Sequence, residues 1–152
     1  MELELVRLIN TNNAVQVRNF ICNLEAKMRE LPNVMLGDCY PLEHTFGEGI
    51  YVRQITMPAG HLIVSKIHKY AHPYFILRGE CSVLTENGVV RLKAPYHGIT
   101  KAGTKRALYI YEETVWVTVH ATHKTNLEEI EEEIIAKSFD EVPLSYMEGE
   151  LV

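Results

Sequence analysis

The stretch Gly60-His61-Leu62-Ile63-Val64-Ser65-Lys66-Ile67-His68-Lys69-Tyr70-Ala71-His72-Pro73-Tyr74-Phe75-Ile76-Leu77-Arg78-Gly79 holds two runs of strand-type residues, 61–67 and 74–77. Branched and aromatic side chains suit a pleated, half-buried surface, and glycine at either end marks the turns. Lys66 and His68 stand two apart on the first run, so the period of a strand puts them on one face. His72 follows four residues after His68. Two imidazoles and an ammonium are thereby gathered beside apolar strand text, where a site is more informative than a solvated loop.

The same strand text extends to both sides. Residues 50–56 form a run that ends at Pro58-Ala59-Gly60. Residues 81–85 and 89–92 flank Glu86-Asn87-Gly88, and Asn-Gly is the strongest short hairpin signal. Runs at 106–111 and 114–122 complete a set of seven or more short strands, which reads as a barrel or sandwich. Residues 32–49 are broken by Pro32, Gly37, Pro41, Gly47 and Gly49 and read as loop with room for one short strand.

The ends of the chain read as helix. Ala14, Val17, Phe20, Ile21, Leu24, Met28 and Leu31 recur at three- and four-residue spacing over 11–31, with Thr11, Asn12 and Asn13 as cap candidates and Pro32 as the stop. Thr125-Asn126-Leu127-Glu128 reads as a capping box for a second helix whose stripe is Leu127, Ile130, Ile134 and Ile135. Glu128, Glu129, Glu131, Glu132 and Glu133 crowd its first half and read as a solvated face. An extended end is expected after Phe139.

The 152 residues carry a net charge of −5, with 47% hydrophobic and 23% charged residues, an ordinary globular composition for one domain. No apolar run approaches the roughly 20 residues needed to cross a bilayer. Met1-Glu2-Leu3-Glu4 lacks the basic flank and apolar stretch of a signal peptide. Cys22, Cys39 and Cys81 are too scattered for a disulfide framework or zinc knuckle, and an acidic chain without a basic run makes a poor nucleic-acid ligand. The expectation is a soluble, cytoplasmic protein that binds neither membrane nor nucleic acid.

The first stretch has the spacing Gly60-x5-Lys66-x-His68-x3-His72-x6-Gly79, and a second reads Pro95-x5-Lys101-x-Gly103-x2-Arg106-x3-Ile110. This resembles the cupin family, whose motifs are G(x5)HxH(x3–4)E(x6)G and G(x5)PxG(x2)H(x3)N. The wording of His68-Lys69-Tyr70-Ala71-His72, of Ala102-Gly103-Thr104-Lys105-Arg106 and of Thr114-Val115-Trp116-Val117-Thr118-Val119-His120 is also similar to small cupin proteins of bacteriophages. The resemblance implies a mainly β chain: a single jelly-roll β-barrel over 50–124. An N-terminal helix and loop over 1–49 pack on it, and a C-terminal acidic helix and tail over 125–152 complete one structural domain. For a phage protein, the compartment would be the host cytoplasm.

In the family, two histidines and a glutamate of the first motif and a histidine of the second hold a divalent metal. Here the positions fall on Lys66, His68, His72 and Arg106, so only His68 and His72 remain able to ligate. Two imidazoles suit Zn, Fe, Ni or Cu, and the family implies one divalent ion such as Zn, Fe, Ni or Mn; a stable site wants a third ligand. His44, His97, His120 or His123 could supply it through the fold, although His120 and His123 by themselves read as surface or packing residues. A lysine and an arginine facing the interior call for anionic compensation, from a protein carboxylate such as Glu48 or Glu80 or from a ligand.

The leading expectation is therefore a pocket formed by Lys66, His68, His72 and Arg106 that binds a small anionic molecule. One alternative is an enzyme acting on a sugar or nucleotide derivative, of isomerase, epimerase or oxygenase type. It would be metal-assisted or would use His68, His72 and Lys66 as acid–base groups. Another is a structural homodimer, since sheet edges need covering. His61 has the opposite parity from His68 and is expected to face outward. Trp116, Tyr109 and Tyr111 read as interface or core aromatics, and Cys81 as an unactivated strand residue.

Overall fold

The computed structural model describes residues 14–86 and 88–142. Thr11, Asn12, Asn13, Asn87 and the chain beyond 142 lie outside the described residues. The elements run α1 (Ala14–Arg29), β1 (Leu42–Gly47), β2 (Ile50–Met57), β3 (Leu62–Val64), β4 (Ile67–His68), β5 (His72–Thr85), β6 (Gly88–Lys93), β7 (Tyr96–Thr100), β8 (Ala107–Ala121), α2 (Leu127–Ile134) and β9 (Ile135–Ala136). A single 3-10 turn, Phe139–Glu141, follows. Among the described residues the fold is mainly β with two α-helices, neither long and apolar enough to cross a membrane.

The main antiparallel sheet is ordered β1-β2-β8-β5-β6, with β3 on β8 and β7 on β5; β4 and β9 form a separate pair. The sheet of the expected jelly-roll barrel is not closed by hydrogen bonds: among the described residues β1 and β6 end the path and do not pair with each other. The long strands explain this. β8 pairs with β2 through its second half and β3 through its first, while β5 pairs with β7 and then β6. The halves meet through side chains, in one core of Met57, Tyr74, Ile76, Cys81, Val83, Leu92, Leu108, Ile110 and Trp116.

Two expected breaks are continuous strand. The runs 74–77 and 81–85 merge into β5, and 106–111 and 114–122 into β8, because the interruptions are bulges in the β5–β8 ladder. Gly79 makes this possible. It sits at φ +96°, and a Cβ there would collide with the Glu113 carbonyl oxygen and Thr114 Oγ1. The expected run 61–67, in contrast, is two strands. After Val64 the chain leaves the sheet: Ser65 N donates to Arg106 O at 2.9 Å and Ser65 Oγ accepts from Arg106 N at 3.0 Å. Ile67 then pairs with Ala136 and His68 with Ile135.

The short strand allowed for in 32–49 is β1, which pairs with β2 from Leu42↔Ile55 to Gly47↔Ile50, so a division at 49/50 passes through this hairpin. β7 was not read from the sequence.

The helices cover the two ends of the sheet. α1 buries Val17 and Ile21 against Leu84 and Ala107, with Phe20, Leu24 and Val64 around them. Full burial of such a side chain is worth about 1.5–3 kcal/mol. Arg18 pairs with the buried Glu86, and Lys105 with Glu25, which fixes the helix's rotation. Leu31 lies beyond the helix and is exposed. α2 is capped by Asn126 alone, whose Oδ1 accepts from Glu128 N at 3.0 Å and Glu129 N at 3.2 Å, replacing the expected Thr125 box. Ile130 and Ile134 pack on Tyr51.

Candidate metal centre

Alternate residues of β8 point to one side of the sheet, so Trp116, Thr118 and His120 share a face. On β2 the matching residues are Tyr51, Arg53, Ile55 and Met57. Together with His68, His72, Arg106 and the underside of α2 they line a cavity of about 370 Å³. The ladders bring the chemistry to one end of it. β5 and β8 pair Tyr74 with Thr118 at the end of their ladder, and just beyond it the rings of His72 and His120 meet. β4 delivers His68 from the other side.

The outcome is a three-histidine cluster. His68, His72 and His120 each offer one ring nitrogen, and these atoms all lie within 4.8 Å of one another. Ring centroids are 4.3 Å apart for His68–His72, 4.5 Å for His72–His120 and 5.3 Å for His68–His120. A tetrahedral zinc with bonds of about 2.0–2.1 Å spaces its nitrogens about 3.3 Å apart, so small side-chain rotations complete the geometry.

The tautomers suit metal binding. His72 Nδ1 donates to the Tyr70 carbonyl at 3.3 Å, which leaves the Nε2 lone pair free. That Nε2 is buried without a hydrogen-bond partner among the described residues. A buried unsatisfied polar atom costs about 1–3 kcal/mol, and a carbonyl-anchored imidazole with its other nitrogen bare is the arrangement of a metal ligand. His120 Nε2 meets Thr118 Oγ1 at 2.9 Å.

Burial holds all three rings neutral. It lowers His68 to about 2, with the neighbouring His72 and His120 adding to the effect. His72 falls to about 4 through burial, partly offset by its bond to Tyr70, and His120 to about 3 through burial and the proximity of His72. A ligand imidazole must be unprotonated, and these are so throughout the neutral range.

Arg106 is buried at 9% exposure. Its Nη2 donates to Thr100 Oγ1, and its guanidinium lies 5.1 Å from the Tyr74 ring and 5.5 Å from the Trp116 ring. Thr100 is the register partner of His72, so the cation sits beside the histidine cluster. The carboxylates considered as its partners are elsewhere: Glu80 pairs with Arg91, and Glu48 is exposed.

Lys66 corrects an expectation. Strand parity puts it inside with His68, but β3 ends at Val64 and β4 begins at Ile67, so parity does not carry across. The side chain reaches the cavity mouth, is about half exposed, and pairs with Glu131 of α2.

The other histidines separate clearly. His44 lines the cavity and bonds the Tyr51 hydroxyl at 2.6 Å, while His97 and His123 are exposed. His61 meets Tyr40 OH at 3.0 Å outside the cluster. His120 is the residue that sequence reasoning undervalued, and its parity with Trp116 and Thr118 was the available signal. Trp116 is buried in the core and Tyr109 and Tyr111 are exposed; burial pushes the Cys81 thiol up to about 11.

No protein-family model matches the chain, and no curated protein does. Solved structures resemble it in fold. KdgF from Halomonas sp. is 8% identical over 63% of this chain and 89% of its own, with a TM-score of 0.50. An RmlC-like cupin family protein with a double-stranded β-helix fold from Methanocaldococcus jannaschii is 14% identical over 59% of this chain and 87% of its own, at 0.45. A cupin-2 domain containing protein from Shewanella frigidimarina is 7% identical over 57% of this chain and 85% of its own, at 0.47. Two of these three are described as cupin proteins, and the likeness is one of fold.

Proposed function

We propose that the chain is a cupin-fold protein that holds one divalent transition metal on His68, His72 and His120 and binds a small molecule in the adjoining cavity. The observation that carries this reading is the bare, buried Nε2 of His72 facing two further neutral imidazoles. Three nitrogen ligands leave coordination positions for a ligand, and a metal bound there supplies a Lewis acid at the cavity's polar end. All-imidazole ligation suits Zn, Fe, Ni or Cu better than Mg or Ca.

The chain's own residues define the rest. Tyr70 orients His72, Thr118 orients His120, and Ile55, Met57, Leu108 and Trp116 give the cavity an apolar wall. An enzyme of the metal-assisted kind is consistent with this arrangement. The acid–base alternative has less support, because histidines held at about 2–4 are poor proton carriers at neutral pH and Lys66 is tied to Glu131. The phage-like wording favours action in a host cytoplasm.

Titration of chelator-treated protein with Co(II), followed by its visible absorption and by elemental analysis, tests the proposal. One ion per chain with tetrahedral or five-coordinate absorption is expected, and a His68/His72/His120 triple alanine variant abolishes it. Equal uptake by wild type and triple variant overturns it.

A second reading, self-association, draws on the outer face of the sheet. Phe75, Leu77 and Ile99 are exposed there, on β5 and its partner β7, and such a row suits a second copy of the chain. Analytical ultracentrifugation of wild type and a Leu77→Lys/Ile99→Lys variant decides it: a dimer that dissociates in the variant supports the reading, and a wild-type monomer at micromolar concentration overturns it.

A further inference from the structure

Arg106 presents a charge that no described residue answers. Among the described residues no carboxylate pairs with it; its hydrogen bond goes to the neutral Thr100 hydroxyl and its faces to two rings. The other charges of the cavity are matched near its mouth, Arg53 with Asp38 at 3.5 Å and Lys66 with Glu131, while Glu128 lies exposed in the first turn of α2. Burying an unpaired guanidinium costs several kcal/mol, and burial accordingly lowers its proton affinity. Loading the histidine cluster adds two further positive charges beside it, since all three ligands are neutral.

We infer that the cavity takes a small carboxylate with an oxygen on the adjacent carbon, a 2-hydroxy or 2-oxo acid carrying an apolar body. Its carboxylate meets the Arg106 guanidinium, and its second oxygen completes the coordination of the metal. The inference rests on the metal reading for the second oxygen only.

Each part of the ligand answers a feature of the cavity. A guanidinium fork matches a carboxylate bidentately. Thr100, which accepts from Arg106, stands opposite His72 in the ladder, so the guanidinium and the ligating imidazole are anchored on neighbouring strands of one cavity. The remaining wall is Ile55, Met57, Ile63, Leu108 and Trp116. A phosphate is a worse match, because it is usually met by several donors and here one cationic side chain with an apolar wall stands at the deep end.

Mandelate, phenylacetate, mandelamide and inorganic phosphate serve as probes, titrated calorimetrically into zinc-loaded and metal-free protein. Zinc-loaded wild type is expected to bind mandelate about ten- to a hundredfold more tightly than mandelamide, which lacks the charge. Phenylacetate, which lacks the hydroxyl, should fall between them. Arg106→Gln should erase the preference for mandelate over mandelamide while retaining one zinc per chain. The comparison of probes on wild type stands even if that variant does not fold, and Arg106→Lys, which keeps the charge, should retain part of the preference. Equal binding of mandelate and mandelamide, or phosphate binding more tightly than mandelate, overturns the inference. If zinc does not bind, the metal reading fails by itself. The carboxylate site is then decided on metal-free protein, where phenylacetate binding lost in Arg106→Gln upholds it and absence of phenylacetate binding overturns it.

Discussion

The imidazoles of His68 and His120 lie parallel, 6° apart in plane with centroids separated by 5.3 Å, although they come from a two-residue strand and the end of the longest one. Nothing local brings them together. His68 is held through the β4–β9 pair and by Gly103 N, which donates to its carbonyl at 2.9 Å. His120 is held by pairing with Tyr51, which itself stacks on it at 5.9 Å. Both frames are backbone ladders, so the site is organised before any ligand arrives, and truncating either ring should cost binding more than folding.

His120→Ala is accordingly expected to weaken Zn(II) affinity by more than about a hundredfold, beyond the 10–100-fold typical of outer-shell changes. His61→Ala, which loses only the bond to Tyr40, should leave it within about twofold. Competition with a chromophoric chelator measures both.

Acid should destabilise the metal-free protein through the same histidines. Their folded values of about 2, 4 and 3 lie below the unfolded 6.5, so the unfolded chain binds more protons as pH falls through 6.5. Stability is full above about 6.5 and is lost below it, on the order of 2 kcal/mol per histidine by pH 5. Urea unfolding at pH 7 and 5 with chelator present checks this, and His120→Asn should flatten the dependence.

Gly79→Ala should destabilise the fold by about 3 kcal/mol or more, because it combines a left-handed backbone with a backbone collision that nothing flexible can relieve. Denaturant midpoints measure it, and a change under about 1 kcal/mol would contradict the close β5–β8 approach.

Lys66→Ala should change stability by less than about 1 kcal/mol, since its pair with Glu131 is half exposed. Metal affinity should also stay within about threefold, which separates its position at the mouth from the interior role that strand parity suggested.

Ile21→Ala should cost about 2–5 kcal/mol, since the side chain is fully buried between α1 and the sheet. Zinc stoichiometry, read on the folded fraction, should be unchanged because α1 contributes nothing to the cavity lining.

Local patterning alone determined a good deal. Branched and aromatic runs, the Gly88 turn and the two flanking amphipathic stretches specify a mainly β chain with a helix near each end, because strand and helix periods are written into neighbouring residues. Residue spacing also marked His68, His72 and Arg106. Tertiary structure alone decided that β1 and β6 do not pair with each other among the described residues, that 74–85 is one bulged strand and that Lys66 turns to the mouth while His120 turns in. The reason is that parity is a property of a single unbroken strand. Where the chain leaves a ladder at Ser65, or where two distant strands choose a register that lets the rings of His72 and His120 meet, the outcome depends on pairings between residues tens of positions apart.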